Sequence, residues 1–201
     1  MAAPAEVTIK DLSGKWVMDK NISTPADPVL STQGVNWGLR KTIGMITLTL
    51  DVKQTVEADG VTFIKIDQIG TGGFKGTTEE RRLDCKLKEH VDSVFGTVNG
   101  CTRWINLDQI NDPFPIEYQN TPEDIKFLTE DWIEDDCEKG GPNGEKHIDS
   151  FVRNEKRAWT ARQIWGFSMI ENERHYVRRV VVKTLNGKTV HHVKLVYNWK
   201  P

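Results

Sequence analysis

The feature that most constrains the fold is a series of short segments in which apolar and polar residues alternate. Over residues 46–53, four aliphatic side chains alternate with two threonines, an aspartate and a lysine. A period of two places one set on each face of a β-strand. Asp59-Gly60 and Asn99-Gly100 suit tight hairpin turns, and Asn186-Gly187 separates two further segments of this kind. The sequence therefore predicts antiparallel β-structure.

This pattern predicts an all-β fold of about eleven short strands. Their ranges are 12–20, 46–53, 61–69, 77–83, 91–98, 101–107, 125–137, 147–153, 162–170, 175–183 and 189–199. Short antiparallel strands build a sandwich or a barrel. Two short helices are predicted between the first two strands, since Pro28 suits a first helical position and Gly34 a helix end. This placement favours a single antiparallel β-barrel domain, residues 1–201, with a helical lid over about residues 24–43.

Residues 108–124 interrupt the strand pattern. Pro113, Pro115 and Pro122 exclude a central strand there, because proline lacks the N–H group that a ladder of hydrogen bonds needs. The sequence leaves open whether this segment is a lid or only connects two strands.

Composition excludes several classes of protein. The chain has 27 Lys and Arg against 29 Asp and Glu, a net charge of -2, whereas a general nucleic-acid binder shows a basic excess. No segment approaches the ~18 consecutive apolar residues of a membrane span, and no secretory signal is expected at the start. Three widely spaced cysteines without a Cys-x-x-Cys pair predict free thiols in a reducing cytosol. We therefore expect a cytoplasmic protein with no nucleic-acid partner and no membrane span.

The sequence contains no motif for nucleophilic, metal or cofactor chemistry. A Gly-x-Ser-x-Gly elbow and a His-Glu-x-x-His pair are absent, and the five histidines share no metal-ligand spacing with the cysteines. Residues 70–76 are glycine-rich but join two strands, so a wide turn is expected there rather than a phosphate-binding loop. We expect neither a metal nor a cofactor. Seven tryptophans within an apolar content of 37% indicate instead a core or a pocket built from a few large rings.

Residues 14–16 (Gly-Lys-Trp) and 34–41 (Gly-Val-Asn-Trp-Gly-Leu-Arg-Lys) resemble the opening of intracellular fatty-acid-binding proteins. That family carries an Arg-x-Tyr pair near its end that binds the fatty-acid carboxylate. Here Tyr197 matches the tyrosine, but Leu195 stands in the place of the arginine. The resemblance implies that Tyr197 points into a barrel and that the ligand is less acidic than a fatty acid.

Four segments together resemble a group of fungal lipocalin-like (calycin) proteins of about this length. The segments are 12–18, 71–81, 165–167 and 176–182. Some members of that group are hetero-Diels–Alderases, which join a tropolone-type quinone methide to a terpene alkene such as humulene. The resemblance implies a calycin barrel that holds hydrophobic small molecules in its lumen, and a pericyclase activity in natural-product biosynthesis.

The resemblance and strand parity together name the candidate site residues. If Tyr197 points inward, every second residue before it shares its face. On the neighbouring strand, the face of Tyr176 and Arg178 and the opposite face remain alternatives, and the inner face of residues 61–69 is also undecided. The candidates for catalysis are Arg178, Tyr176 and His191. The candidates for substrate binding are Trp37, Phe63, Trp165, Phe167, Leu195 and Tyr197.

Three functions are compatible with these expectations. The first is a cofactor-independent pericyclase that holds two apolar partners in a near-attack pose while a donor polarises the tropolone carbonyl. The second is a carrier of a lipid-like or aromatic hydrophobic ligand, without chemistry. The third is an isomerase or cyclase in which His191 or His175 acts as general acid or base. In all three, Trp16 is expected to fill the closed end of the barrel.

Overall fold

The protein folds as one antiparallel sheet of ten strands. The computed structural model describes residues 1–201. The strands are β1 (Gly14–Met18), β2 (Leu48–Val56), β3 (Thr62–Gly70), β4 (Lys75–Arg82), β5 (Lys88–Asp92), β6 (Gly96–Ile105), β7 (His147–Asn154), β8 (Trp159–Ile170), β9 (Glu173–Thr184) and β10 (Val190–Lys200). The helices are α1 (Asp27–Thr32), α2 (Trp37–Met45) and α3 (Pro122–Thr129). The order β4-β3-β2-β1-β10-β9-β8-β7-β6-β5 curls into a nearly closed barrel. The predicted all-β barrel is thus confirmed, with ten strands rather than about eleven.

The barrel is nearly rather than fully closed, because β4 and β5 remain the two edges of the sheet. Just after β4, the backbone N–H of Cys85 donates to the carbonyl of Thr102 on β6, at 3.0 Å. Across the same seam, Trp104 Nε1 donates to Thr62 Oγ1 at 3.3 Å. These hydrogen bonds join the two sides of the seam at one end of the barrel.

Trp16 fills the end of the barrel that lies beside the N-terminal segment. Its side chain is fully buried, and its Nε1 donates to the carbonyl of Leu12 at 2.9 Å. Its ring centre lies 5.2 Å from that of Tyr176 and 4.8 Å from that of Trp199. Ile9 is buried in the same cluster. Trp16 is therefore part of the packed core.

The two helices between β1 and β2 cover the opposite end. Val29 of α1 is buried in one cluster with Trp159 of β8 and Val182 of β9. Asn36 caps α2, because its Oδ1 accepts a hydrogen bond from the backbone N–H of Leu39 at 2.9 Å. No residue of α2 is buried, so α2 lies on the surface of the lid. The predicted helical lid between the first two strands is confirmed.

The segment between β6 and β7 packs on the outside of the barrel, and we call residues 106–146 the outer cap. Leu128 of α3 is buried with Ile164 of β8 and Val181 of β9, whose side chains point outward. β8 and β9 are therefore covered on both faces. Residues 108–124, whose role the sequence left open, belong to this outer cap and not to a lid over the barrel mouth.

The prediction of a strand over residues 125–137 is wrong. Helix α3 occupies the first part of that range, and no strand follows before β7. Thr121 and Asp124 form a capping box, in which Thr121 Oγ1 accepts from the backbone N–H of Asp124 at 3.3 Å. This cap and the Pro122 that follows it start a helix in a segment whose acidic residues do not alternate with apolar ones.

The prediction of a hairpin turn at Asn99-Gly100 is also wrong. β6 runs through both residues without interruption. The turn lies earlier, where Asp92 Oδ1 accepts from the backbone N–H groups of Val94 and Phe95 at 2.7 and 2.8 Å. Gly96 then adopts a φ of 74°, which suits glycine. The hydrogen bonds to the Asp92 side chain therefore fix the position of this turn, and the Asn99-Gly100 pair does not.

None of the three helices has the length and apolar content that crossing a membrane requires. The three cysteines form no disulfide. Cys101 is buried, Cys85 is partly buried and Cys137 is exposed.

Replacing Trp16 with Ala should lower the free energy of unfolding by about 3–5 kcal/mol, because it leaves a large cavity in the core. Trp16→Phe should cost less, about 1–2 kcal/mol, since the Leu12 carbonyl loses its donor but most of the ring volume remains. Urea unfolding measures both values. Trp37→Ala is the matched control, because that side chain is 67% exposed and its loss should change stability by at most about 0.5 kcal/mol. A Trp16→Ala variant as stable as Trp37→Ala would contradict this packing.

Candidate functional site

Aromatic rings surround one guanidinium inside the barrel. Arg178 of β9 faces inward and is only 3% exposed. Its guanidinium carbon lies 4.0 Å from the ring centre of Trp165 and 5.7 Å from that of Tyr197, and its Nε donates to the Tyr176 hydroxyl at 2.9 Å. At such distances a cation is attracted to an aromatic ring face. We call Arg178, Trp165, Tyr176 and Tyr197 the lumen cluster.

The charge of Arg178 is only partly balanced. Glu79 of β4 reaches it across the barrel, with Oε2 3.4 Å from Arg178 Nη1. The same oxygen lies 3.3 Å from Arg81 Nη2, and Gln68 donates to the other carboxylate oxygen at 2.7 Å. One carboxylate therefore faces two guanidinium groups, and this part of the lumen carries a net positive charge.

These contacts keep both partners of the pair ionised. Burial alone would raise the pKa of Glu79, but the guanidiniums of Arg178 and Arg81 and the hydrogen bond from Gln68 lower it below its usual value. Burial disfavours a charged guanidinium, yet the oxygens of Tyr176 and Glu79 raise the pKa of Arg178 above its usual value. At neutral pH the lumen therefore holds a permanent cation.

The two tyrosines of the lumen cluster are neutral hydrogen-bonding groups. Burial raises the pKa of Tyr176 to about 12, although Arg178 acts in the opposite direction. Burial also raises the pKa of Tyr197, again against the effect of Arg178. Both phenols therefore keep their protons near neutral pH and can donate a hydrogen bond.

Two donors in this region have no acceptor in the protein. Nη2 of Arg178 and Nε of Arg81 are buried and make no hydrogen bond. An unpaired buried donor costs roughly 1–3 kcal/mol, and such groups are rare in folded proteins. These two nitrogens are therefore suited to binding an oxygen acceptor that is brought into the lumen.

The lumen on the lid side of Arg178 is incompletely packed. Gln163 of β8 and Leu195 of β10 point inward, yet both remain partly exposed. By contrast, Phe167 and Tyr176, on the other side of Arg178, are almost completely buried. A ligand that comes from the lid end would therefore contact Gln163 and Leu195 before it reaches the guanidinium.

Six of the nine predicted site residues lie in or against the lumen cluster. They are Arg178, Tyr176, Trp165, Tyr197, Leu195 and Phe167. Leu195 is the register partner of Arg178 on the neighbouring strand. The ring centre of Phe167 lies 6.0 Å from that of Tyr176, and the Arg174 guanidinium covers it at 3.7 Å. Phe167 is therefore a packed neighbour of the cluster and offers little surface to a ligand.

The structure also decides between the two faces of β9. Tyr176 and Arg178 point into the barrel, where Val180 and Val182 continue the same face. Arg179 points outward instead and pairs with acidic residues of the outer cap. Both faces of β9 carry apolar residues, because this strand is buried on both sides. Alternation in the sequence could therefore not identify its inner face.

Trp37 and Phe63 were predicted to contact substrate, and the structure places both outside the lumen. Trp37 lies on the exposed side of α2, because α1 and not α2 supplies the buried residue of the lid. Phe63 points outward from β3, whose inward residues are the fully buried Ile64 and Ile66. Neighbouring residues of a strand point to opposite faces. The large ring of Phe63 therefore suggested the wrong inner face for β3.

His191 is also separate from the lumen cluster, although it faces inward. Its Nε2 lies 2.8 Å from Thr32 Oγ1 at the end of α1. In the β9–β10 register it is paired with Val182, whereas Leu195 is paired with Arg178. His191 therefore joins the lid to the barrel wall and does not contact the guanidinium.

Sequence reasoning missed Glu79, Arg81 and Gln68. Glu79 and Arg81 lie in the segment 71–81 that carried the family resemblance, but no role was given to them. β4 has charged or polar side chains on both faces, so apolar periodicity cannot tell its inner face from its outer one. Its pairing with β3 decides this, since Glu79 is the register partner of the inward Ile66.

Replacing Glu79 with Gln should destabilise the protein at neutral pH by roughly 3 kcal/mol, because Arg178 stays buried without its carboxylate and the partly buried Arg81 loses the same partner. The pKa of Glu79 in the folded state lies below its unfolded value of 4.5. Its charge therefore contributes stability above about pH 4.5, and this contribution is lost as the pH falls through the folded pKa. In urea unfolding, the stability gap between wild type and Glu79→Gln should narrow towards acidic pH.

The matched control is Glu80→Gln, which removes a carboxylate from the exposed face of the same strand. Its stability gap should be small, about 0.5 kcal/mol or less. If the stability difference between wild type and Glu79→Gln does not change with pH, Glu79 is not ionised beside Arg178.

The chain is similar in sequence to two fungal proteins. It is 30% identical over 199 residues to the probable pericyclase scpY of Mollisia scopiformis, covering 98% of this chain and 94% of that one. It is 28% identical over 204 residues to the pericyclase pydY of an Acremonium species, covering 99% and 97%. No protein-family model matches the chain.

The fold is similar to that of a solved lipid-binding protein. Lipid binding protein 8 of Caenorhabditis elegans, in its apo form, superposes with a TM-score of 0.52 at 11% identity, covering 100% of this chain and 99% of that one. At this identity the likeness concerns the barrel fold alone.

Proposed function

The chain belongs to the same family as these fungal pericyclases, and from that membership we propose that it catalyses an intermolecular hetero-Diels–Alder cycloaddition in the barrel lumen. The two substrates are a tropolone-type quinone methide and a terpene alkene of the humulene kind. The observation that carries the proposal is Arg178, a buried cation among aromatic rings with one nitrogen free of protein acceptors.

In this reaction the quinone methide supplies a conjugated oxygen–carbon diene. Its carbonyl oxygen and its methylene carbon each form a bond to one carbon of the alkene, and no atom is lost. A hydrogen bond from Arg178 Nη2 to that oxygen withdraws electron density from the diene and stabilises the charge that develops on oxygen. The net positive charge around Glu79 favours the same change, and it acts at low local dielectric because the groups are buried.

The two partners are held on the lid side of the lumen cluster. Trp165, Tyr176 and Tyr197 are fully buried around Arg178 and fix its guanidinium, and the partly exposed Gln163 and Leu195 offer the surface against which the tropolone and the terpene pack. Two correctly oriented reactants gain effective molarities of ~10⁵ M or more, and a cycloaddition needs little else. Shielding from water also protects a quinone methide from hydration.

A carrier of a hydrophobic ligand is the second candidate function. Its support is the similarity of the barrel to that of lipid binding protein 8. The position of Leu195 beside Arg178 is compatible with either function, because an aliphatic side chain there lines the lumen without adding a charge.

Arg178→Lys should lower kcat for the cycloaddition about 100-fold, because the ammonium cannot keep both the Tyr176 contact and a donor for the substrate oxygen. Tyr176→Phe should lower it about tenfold, since Arg178 loses the oxygen that orients its Nε. Product formation from a quinone-methide precursor and humulene, followed by chromatography, measures both rates. Phe63→Ala and Trp37→Ala are the controls, because both side chains lie outside the lumen and should leave turnover at the wild-type level.

The same incubation separates the enzyme from the carrier. An enzyme should accelerate product formation and favour one stereoisomer over the uncatalysed mixture. If the protein binds the substrates tightly but leaves both the rate and the product distribution unchanged, the pericyclase proposal is wrong. The carrier function is then the one supported. Wild-type turnover in Arg178→Lys and Tyr176→Phe would show that the lumen cluster is not the reacting site.

A further inference from the structure

A second cleft lies on the other side of the sheet, between the outer cap and β8. Its volume is about 290 Å³, at the lower end of the range for small-molecule pockets. Arg162 forms its floor. Ile110, Phe114 and Tyr118 form part of its walls, and the other lining residues are Asn111, Asp112, Pro113, Gln119 and Asn120. Arg162 points outward from β8, so the sheet itself separates this cleft from the lumen.

The floor of the cleft is a buried cation with a free donor. Arg162 is 1% exposed. Its Nε and Nη2 donate to the two carboxylate oxygens of Asp149 at 3.1 and 2.9 Å, and Nη2 also donates to the carbonyl of Ile110 at 2.8 Å. These bonds hold the guanidinium plane rigidly in place. The remaining nitrogen, Nη1, donates to no protein group.

The buried charge of this region is not neutral. Arg103 also binds Asp149, with Nη2 and Nε 3.0 and 3.1 Å from one carboxylate oxygen. Two guanidiniums therefore share a single buried carboxylate. Asp112 on the rim is exposed to water, where its effect is screened, and the buried Asp124 near Tyr118 is already paired with Lys183. A small anion would complete this charge balance.

The walls of the cleft include two aromatic rings, and two buried polar atoms there have no hydrogen-bond partner, the Tyr118 hydroxyl and Asn120 Oδ1. The ring centre of Phe114 lies 5.0 Å from the Arg162 guanidinium and 5.3 Å from the ring centre of Phe151, which also lies 4.8 Å from that of Tyr118. The hydroxyl of Tyr118 is buried and has no hydrogen-bond partner. Such a group is rarely left unsatisfied in a folded protein.

We propose that this cleft binds a small aromatic carboxylate. One carboxylate oxygen accepts from Arg162 Nη1 and the other from the Tyr118 hydroxyl, while the ring of the ligand packs against Phe114. The volume admits a single ring with a short substituent. This site is independent of the lumen chemistry, because no residue of the lumen cluster lines it.

Titration of the full-length, ¹⁵N-labelled protein with benzoate tests the proposal. The largest chemical-shift changes should fall on residues 110–120 and on the Arg162 side chain. Benzyl alcohol keeps the ring but lacks the charge, so it should bind at least about tenfold more weakly. Acetate keeps the charge but lacks the ring, and it should also bind at least about tenfold more weakly.

Two variants test the contacts without removing Arg162, which anchors Asp149. Tyr118→Phe removes only the free hydroxyl, and Phe114→Leu keeps an apolar side chain but removes the ring. Each should weaken benzoate binding about fivefold. Phe63→Leu is the matched control, because it removes a ring from the outer surface of β3, and it should leave the affinity unchanged.

Three results would overturn the proposal. The first is the absence of benzoate binding, and the second is a set of shift changes confined to the lumen around Trp165. The third is an affinity that neither Tyr118→Phe nor Phe114→Leu changes. Thermal unfolding of each variant shows whether it remains folded. If Phe114→Leu loosens the outer cap, the Tyr118→Phe variant decides the outcome alone.

Discussion

The ion pair between Arg178 and Glu79 is the interaction on which the barrel interior depends. Four strands separate β9 from β4 in the sheet, so the pair crosses the lumen instead of following the ladder of hydrogen bonds. A charge taken out of water costs several kcal/mol unless a partner compensates it. The pair therefore makes the guanidinium tolerable among aromatic rings, and it also ties the edge strand β4 to the opposite wall of an incompletely closed barrel.

The outer cap supplies a corresponding set of partners on the other side of the sheet. β9 carries Arg178 on its inner face and Arg179 on its outer face, and both are buried. Glu130 and Asp131 of the outer cap bind Arg179 at 2.9 Å each, and Asp124 binds Lys183 farther along the same strand. Packing on both faces restricts the motion of β8 and β9, and this is what a site with fixed donors requires.

The barrel and its helical lid were predictable because each depends on local patterns. The alternation over residues 46–53 predicted strand β2, and Pro28 and Gly34 predicted the lid helices. Each of these patterns extends over only a few residues of the chain. The strand prediction for 125–137 failed because the Thr121 capping box outweighs a weak pattern of acidic residues. Among the candidate site residues, Trp165 does face the lumen, whereas Phe63, which was chosen for its large ring, lies outside.

By itself, the sequence determined the class of fold and the position of the lid, and it named the residues of the lumen cluster as candidates without deciding the inner face of β9. Alternation and turn residues act over short distances, so they can be recognised without knowing which strands pair. Only the tertiary structure decided that Glu79 faces Arg178, that His191 belongs to the lid contact and that residues 106–146 cover the outside of the barrel. Those facts depend on strand register and on closure of the sheet, which bring together residues about one hundred positions apart in the chain.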